Sequence, residues 1–249
     1  MKQDQQSDTV SMWSACPEWA SFMLTSFYRD DEREHAEVIQ AVHKFIAGWI
    51  SDEVDHSAPR IGVFGGGPAS GKTVMSYVLR KLRDDDAVGY LRGGEIDRGS
   101  CVNYALREKR FVVIDPANDF AGISPRSKRH MSISASDITR NLVRSVAHSD
   151  TVDIDRPGRA PVIVTLNHRL ALMTNARLEG LDLYPRRCRE IIEFEMQSVP
   201  RESVDCSLTQ CLTSKSSLVA VRAIAMLADQ QNILPDGVSE LRNMLEVMS

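Results

Sequence analysis

Residues 62–74 read GVFGGGPASGKTV. Gly66, Gly71, Lys72 and Thr73 stand at the G-x-x-x-x-G-K-[ST] spacing of a phosphate-binding loop, with Gly67, Pro68, Ala69 and Ser70 at the variable positions. The flanks agree with that reading. Ile61, Val63 and Phe64 form a short apolar run that predicts a buried strand, and Val74, Val78 and Leu82 recur at helical spacing. Glycines let backbone N–H groups converge on one concavity without Cβ clashes. The helix that follows adds its own unpaired N–H groups and dipole. Residues 66–74 are therefore expected to cradle the phosphates of ATP. Lys72 would reach the β- and γ-phosphates, and the Thr73 hydroxyl would ligate Mg²⁺. Read blandly, the stretch is a Gly-rich turn with an incidental Lys-Thr, which leaves the strand before it and the helix after it without a purpose.

The chain of 249 residues suffices for one large domain or a core with a small appendage. A formal net charge of −4 argues against a globally basic nucleic-acid binder. The five cysteines (Cys16, Cys101, Cys188, Cys206 and Cys211) are odd in number and form no C-x-x-C pair. They read as reduced thiols in a cytosolic protein rather than a disulfide frame or a zinc site. The opening MKQDQQSDTV has no apolar signal core, and no run approaches the length of a membrane span, so no membrane association is expected.

Three segments are expected. Residues 1–58 are read as an N-terminal helical segment for packing or oligomerisation. Trp19, Phe22, Met23 and Phe27 mark one apolar face, and Val38, Val42, Phe45, Ile46 and Trp49 mark a second. Residues 59–200 alternate strand and helix, which predicts an α/β fold with a parallel sheet. Its candidate strands are residues 61–64, 111–115, 162–167 and 190–194, with another near 87–91. A helix is expected over residues 138–146, and SDTVDIDRPGRAP at 149–161 suggests two short strands about a Pro-Gly turn. Residues 201–249 are read as a C-terminal helical segment, with helices over 216–232 and 238–248.

What the loop serves depends on the residues downstream. FVVIDPANDF places Asp115 at the end of an apolar strand, where a carboxylate suits Mg²⁺ coordination. APVIVTLNH ends another apolar run in Asn167, whose amide could orient an attacking water. LYPRRCREIIEF sets Arg186 and Arg187 before a strand, and a guanidinium beside a γ-phosphate neutralises charge in the transition state, in cis or from a neighbouring subunit.

This order of elements resembles the superfamily 3 helicases, AAA+ P-loop ATPases that include the replicative helicases of small DNA viruses and the helicase portions of phage primase-helicases. The resemblance covers residues 60–196. It implies a P-loop NTPase core with flanking N- and C-terminal helices and a homo-oligomer, a hexameric ring. It further implies catalytic roles for Lys72, Asp115, Asn167 and Arg186 or Arg187, with Arg177 a further candidate. A hairpin within residues 138–159 would contact DNA, or RNA, through Arg156 and Arg159, with Lys128 and Arg129 the next candidates.

The sequence departs from that pattern at Pro116, where the family usually has a second acid that activates water. Asp119 or Glu95 could substitute. The hairpin turn is short, and the chain leaves no room upstream for an origin-binding, nuclease or primase domain, which implies a stand-alone motor or a degenerate ATPase. Two other readings stay open. A small-molecule kinase or zeta-toxin-like phosphotransferase needs no second acid; Asp97 would then activate the acceptor and SPRSKRHMS would form a lid, although PVIVTLN would have no role. An ATP-binding scaffold without unwinding activity is the other. Residues 120–169 carry eight Arg/Lys against four Asp, which suits a phosphate-tracking patch or a solvated face. His130, His148 and His168 lack metal-ligand spacing and are expected at the surface or against nucleic acid.

Overall fold

The computed structural model describes residues 13–51, 59–92, 109–115, 146–147, 151–156, 158–165, 167–175, 191–200, 202, 204–230, 233–234 and 237–248. In chain order its principal elements are α1 (Pro17–Ser26), α2 (Glu32–Ile50), β1 (Ile61–Gly66), α3 (Lys72–Arg83), β2 (Val88–Arg92), β3 (Phe111–Asp115), β4 (Thr151–Arg156), β5 (Arg159–Thr165), β6 (Arg169–Thr174), β7 (Ile191–Met196), α4 (Leu208–Leu212), α5 (Lys215–Gln230) and α6 (Val238–Met248). The fold is α/β. A five-stranded sheet has the order β2-β3-β6-β1-β7, and helices precede and follow its strands in the chain. The β2–β3, β3–β6 and β1–β6 pairings are parallel.

The chain gathers into two compact units. One holds residues 1–58, 66–82 and 194–249, and the other holds residues 59–65 and 83–193.

The helical unit is built on aromatic side chains. Pro17 opens α1, where a missing N–H costs nothing. Asp31 caps α2 by accepting the Glu34 N–H at 2.8 Å. Trp19, Phe27, Phe45 and Trp49 are fully buried. The Phe194 ring meets Phe27 and Phe45 edge-on, and the Trp49 indole donates to the Leu79 carbonyl of α3 at 2.9 Å. The apolar stripes read on the first two helices are thus interior packing within one chain. The C-terminal helices form close to their expected bounds, and α5 packs along α2.

In the sheet unit, β3 is buried at every position, as a strand covered on both faces must be. The strands expected at 61–64, 87–91, 111–115 and 190–194 all form, shifted by a residue or two at most sites. One expectation is corrected. The run at 162–167 is not a strand of the sheet: β5 pairs antiparallel with β4 in a separate two-stranded hairpin. Along it Ile163 and Thr165 are exposed while Val162 and Val164 are half-buried. The sheet takes instead the next run, RLALMT, as β6, buried at all six positions between β1 and β3. Of the helix expected at 138–146, residues 146 and 147 are helical and the rest lies outside the described residues.

Candidate nucleotide-binding site

The loop between β1 and α3 has the backbone of an anion cradle. Ala69 and Gly71 both take positive φ, at 58° and 87°, the left-handed turns from which anion-binding concavities are built. α3 starts at Lys72 with no acidic residue in its first turn, so its positive dipole end faces no carboxylate of its own. Two glycines are required by what surrounds them. A Cβ on Gly66 would lie 2.4 Å from the Met196 carbonyl oxygen, and one on Gly71 would lie 2.5 Å from a Phe22 ring carbon.

Lys72 is buried, and its ammonium donates to Gly66 O at 2.8 Å, Gly67 O at 2.6 Å and Ser70 Oγ at 2.8 Å. These contacts hold the ammonium inside the loop, and a phosphate oxygen bound there would gain a charge-assisted hydrogen bond. Thr73 is exposed on the first turn of α3, Val74 is half-buried behind it, and Pro68 and Ala69 are exposed at the tip. The glycines at Gly66, Gly67 and Gly71 and the Lys72 ammonium fit a polyphosphate.

The loop is supported by residues that the sequence did not point to. Val199 N–H donates to the Ala69 carbonyl at 3.1 Å, and Gln197 N–H donates to the Ser26 carbonyl at 2.7 Å. The segment after β7 thus ties down both the loop and the end of α1. No local motif could have signalled this, since the partners lie far apart in sequence.

In the sheet unit, Asp115 ends β3 and is 1% exposed. Its Oδ2 accepts from the Tyr90 hydroxyl of β2 at 3.1 Å. Parallel pairing brings three strand ends to one edge. Gly65, the residue before the loop, pairs with Thr174, and Ile114 pairs with Leu172. Asn175 directly follows Thr174 and is exposed. Asn167, by contrast, precedes β6. It lies at the edge where the parallel strands begin, with its N–H on the Thr165 carbonyl. The amide that directly follows the strand between β1 and β3 is Asn175. The signal was present in RLALMTN, but the longer β-branched run before it drew the reading.

Two further expectations are corrected. His168 is not at the surface: it is 5% exposed at the entry to β6. Arg169 is buried beside it and donates to the Pro59 carbonyl, so it belongs to no phosphate-tracking patch. Arg156 and Arg159 pair across the end of the β4–β5 hairpin, on either side of Gly158 with φ 69°. Glu95, Asp97, Pro116, Asp119, Lys128, Arg129, His130, His148, Arg177, Arg186 and Arg187 lie outside the described residues. Among the described residues no helix is long and apolar enough to cross a membrane.

No family model matches the chain, and no curated protein matches it. Solved structures do. The apo C-terminal region of NrS-1 (305–718) aligns with a TM-score of 0.55 at 14% identity, over 92% of this chain and 50% of that one. Its A form gives 0.54 at the same identity and coverage. The JCV helicase aligns with a TM-score of 0.47 at 14% identity, over 93% of this chain and 60% of that one. These likenesses concern the fold, and the JCV helicase score is too low to argue from. The chain spans about half the length of the NrS-1 region that it matches.

Proposed function

We propose that the protein is an Mg²⁺-dependent ATPase that works as a homo-oligomer on nucleic acid, a helicase or translocase of viral, phage or plasmid replication. The observation that carries this reading is the strand order at one edge of the sheet. β6 lies between β1 and β3, so Gly65, Asn175 and Asp115 come from the carboxyl-terminal ends of three adjacent strands. Ligands of open α/β sheets gather at that edge.

Each residue then has a task. Lys72 and the loop N–H groups hold the β- and γ-phosphates. Thr73 and Asp115 are the candidates to hold Mg²⁺, which would neutralise phosphate charge when bound. Asn175 takes over the water-orienting part first given to Asn167. A phosphotransferase has no need of an amide-bearing strand between the loop strand and the acid strand, and this favours hydrolysis over transfer to a small molecule.

Arg156 and Arg159 pair at the end of a separate hairpin, which supports a contact with nucleic acid, taken as DNA from the family resemblance. Arg186 or Arg187 would complete a neighbour's site, in a ring for which six subunits is the expectation from family resemblance.

Two measurements test the reading. Arg156→Ala and Arg159→Ala should each weaken single-stranded DNA binding and lower its salt slope by about one, with basal ATP turnover intact. Mixing Lys72→Ala chains with Arg187→Ala chains (and with Arg186→Ala or Arg177→Ala in parallel) should restore part of the turnover that each lacks alone. No complementation at any of the three arginines, with subunit exchange verified, would rule out the oligomeric ATPase.

A further inference from the structure

Asp115 has no acidic residue within three positions on either side. The next residue, Pro116, has no side-chain donor or acceptor with which to orient it. A carboxylate at a strand end has two side-chain torsions to fix before it can hold a metal, and ligands are usually fixed by hydrogen bonds from residues behind them. One such bond here comes from the neighbouring strand. β2 and β3 run parallel with Tyr90 opposite Val113 and Arg92 opposite Asp115. The Tyr90 side chain therefore reaches forward by two residues, about 6.6 Å of strand, to set its hydroxyl 3.1 Å from Asp115 Oδ2. The Arg92 guanidinium carbon lies 5.7 Å from the Tyr90 ring centre, within cation–π range, and so steadies the ring from the residue paired with Asp115.

We infer that Tyr90 is the positioning residue of the metal-binding carboxylate, its hydroxyl fixing the orientation in which Asp115 meets Mg²⁺, with Arg92 bracing the ring. The inference rests on the ATPase reading above and adds a residue to it. A phenol suits the position. It donates to Oδ2 and leaves the carboxylate its charge, whereas a second carboxylate at that distance would repel it. Tyr90 touches neither nucleotide nor water in this scheme and acts through Asp115.

The test compares Tyr90→Phe, Arg92→Ala and Asp115→Asn in the full chain. Binding of a fluorescent ATP analogue is titrated with Mg²⁺ and, separately, measured in EDTA, and ATP turnover is followed against Mg²⁺. Tyr90→Phe removes one oxygen and keeps the ring. It should raise the half-saturating Mg²⁺ concentration about tenfold while leaving affinity in EDTA and the thermal midpoint near wild type. Arg92→Ala should shift it in the same direction by less. Asp115→Asn should shift it most.

If Asp115→Asn moves the Mg²⁺ dependence and Tyr90→Phe does not, the positioning role is wrong and the ATPase reading stands. Equal loss of affinity in EDTA and in Mg²⁺ for Tyr90→Phe would mark a merely structural tyrosine and also overturn the inference. An Asp115→Asn chain with unaltered Mg²⁺ dependence would instead remove Asp115 from the metal site and overturn the reading on which the inference rests.

Discussion

Thr174 lies directly across from Gly65 in the parallel β1–β6 ladder, so the chain leaves β6 at Asn175 on the edge where the phosphate loop begins. The relationship distinguishes two asparagines that local sequence could not separate. Asn175→Ala should cut ATP turnover about a hundredfold, the order seen when one preorganised polar group is removed from a reacting centre. Asn167→Ala, at the opposite edge of the sheet, should change it by less than about twofold. Steady-state turnover of both variants checks this, and the reverse ranking would return the water-orienting part to Asn167.

Lys72→Ala should abolish turnover, because the β/γ-phosphate charge loses its partner. Thermal stability should also fall slightly, since Gly66 O, Gly67 O and Ser70 Oγ lose a shared donor. Thr73→Ala should mainly raise the Mg²⁺ requirement. Turnover and Mg²⁺ titration separate the two, and undiminished turnover in Lys72→Ala would refute the loop assignment.

Gly71→Ala combines a φ of 87° with a Cβ 2.5 Å from the Phe22 ring. It should destabilise the helical unit by about 1–3 kcal/mol and weaken nucleotide binding, because the buried Phe22 ring must shift to make room. Shrinking the neighbour with Phe22→Leu in the same chain should recover part of the binding but not the backbone strain. Denaturation midpoints and nucleotide affinity of the single and double variants measure both parts.

Stability should fall as pH drops from 6.5 toward 4. His43 is fully buried with Nδ1 2.7 Å from the Ile39 carbonyl oxygen and Nε2 2.9 Å from the Trp19 indole nitrogen. The neutral ring donates through Nδ1 and accepts through Nε2, so a second proton would set donor against donor. Burial holds its pKa down at about 4 against an ordinary 6.5. Burial, with Arg242 and Arg29 nearby, does the same for His35, also to about 4. Both folded pKa values are depressed. The unfolded chain takes up protons first, and the stabilisation present above pH 6.5 is lost as pH falls through the folded values. His43 alone should contribute roughly 3 kcal/mol to that loss. Urea denaturation between pH 7 and pH 4 reads it, and a flat profile over that range would contradict the buried neutral pair.

Local pattern alone determined the glycine-rich loop between β1 and α3, the acidic end of β3 and the apolar faces of α1 and α2. Loop chemistry depends on a fixed spacing of residue types, and helix faces depend on a short period, so a window of a few residues carries both. The choice of central strand was not local. APVIVT has the stronger β-branched character and RLALMT the weaker, yet RLALMT is buried at all six positions between β1 and β3 while APVIVT runs half-exposed in a hairpin. Insertion between two parallel strands demands apolar cover on both faces and a crossover of permitted hand. Those conditions are set by the rest of the chain, and they moved the polar strand end from Asn167 to Asn175. The same holds for Tyr90 and for the segment at Met196–Val199. Their partners are distant in sequence, so only the assembled sheet and helices brought the Tyr90 hydroxyl to Asp115 and the Val199 N–H to Ala69.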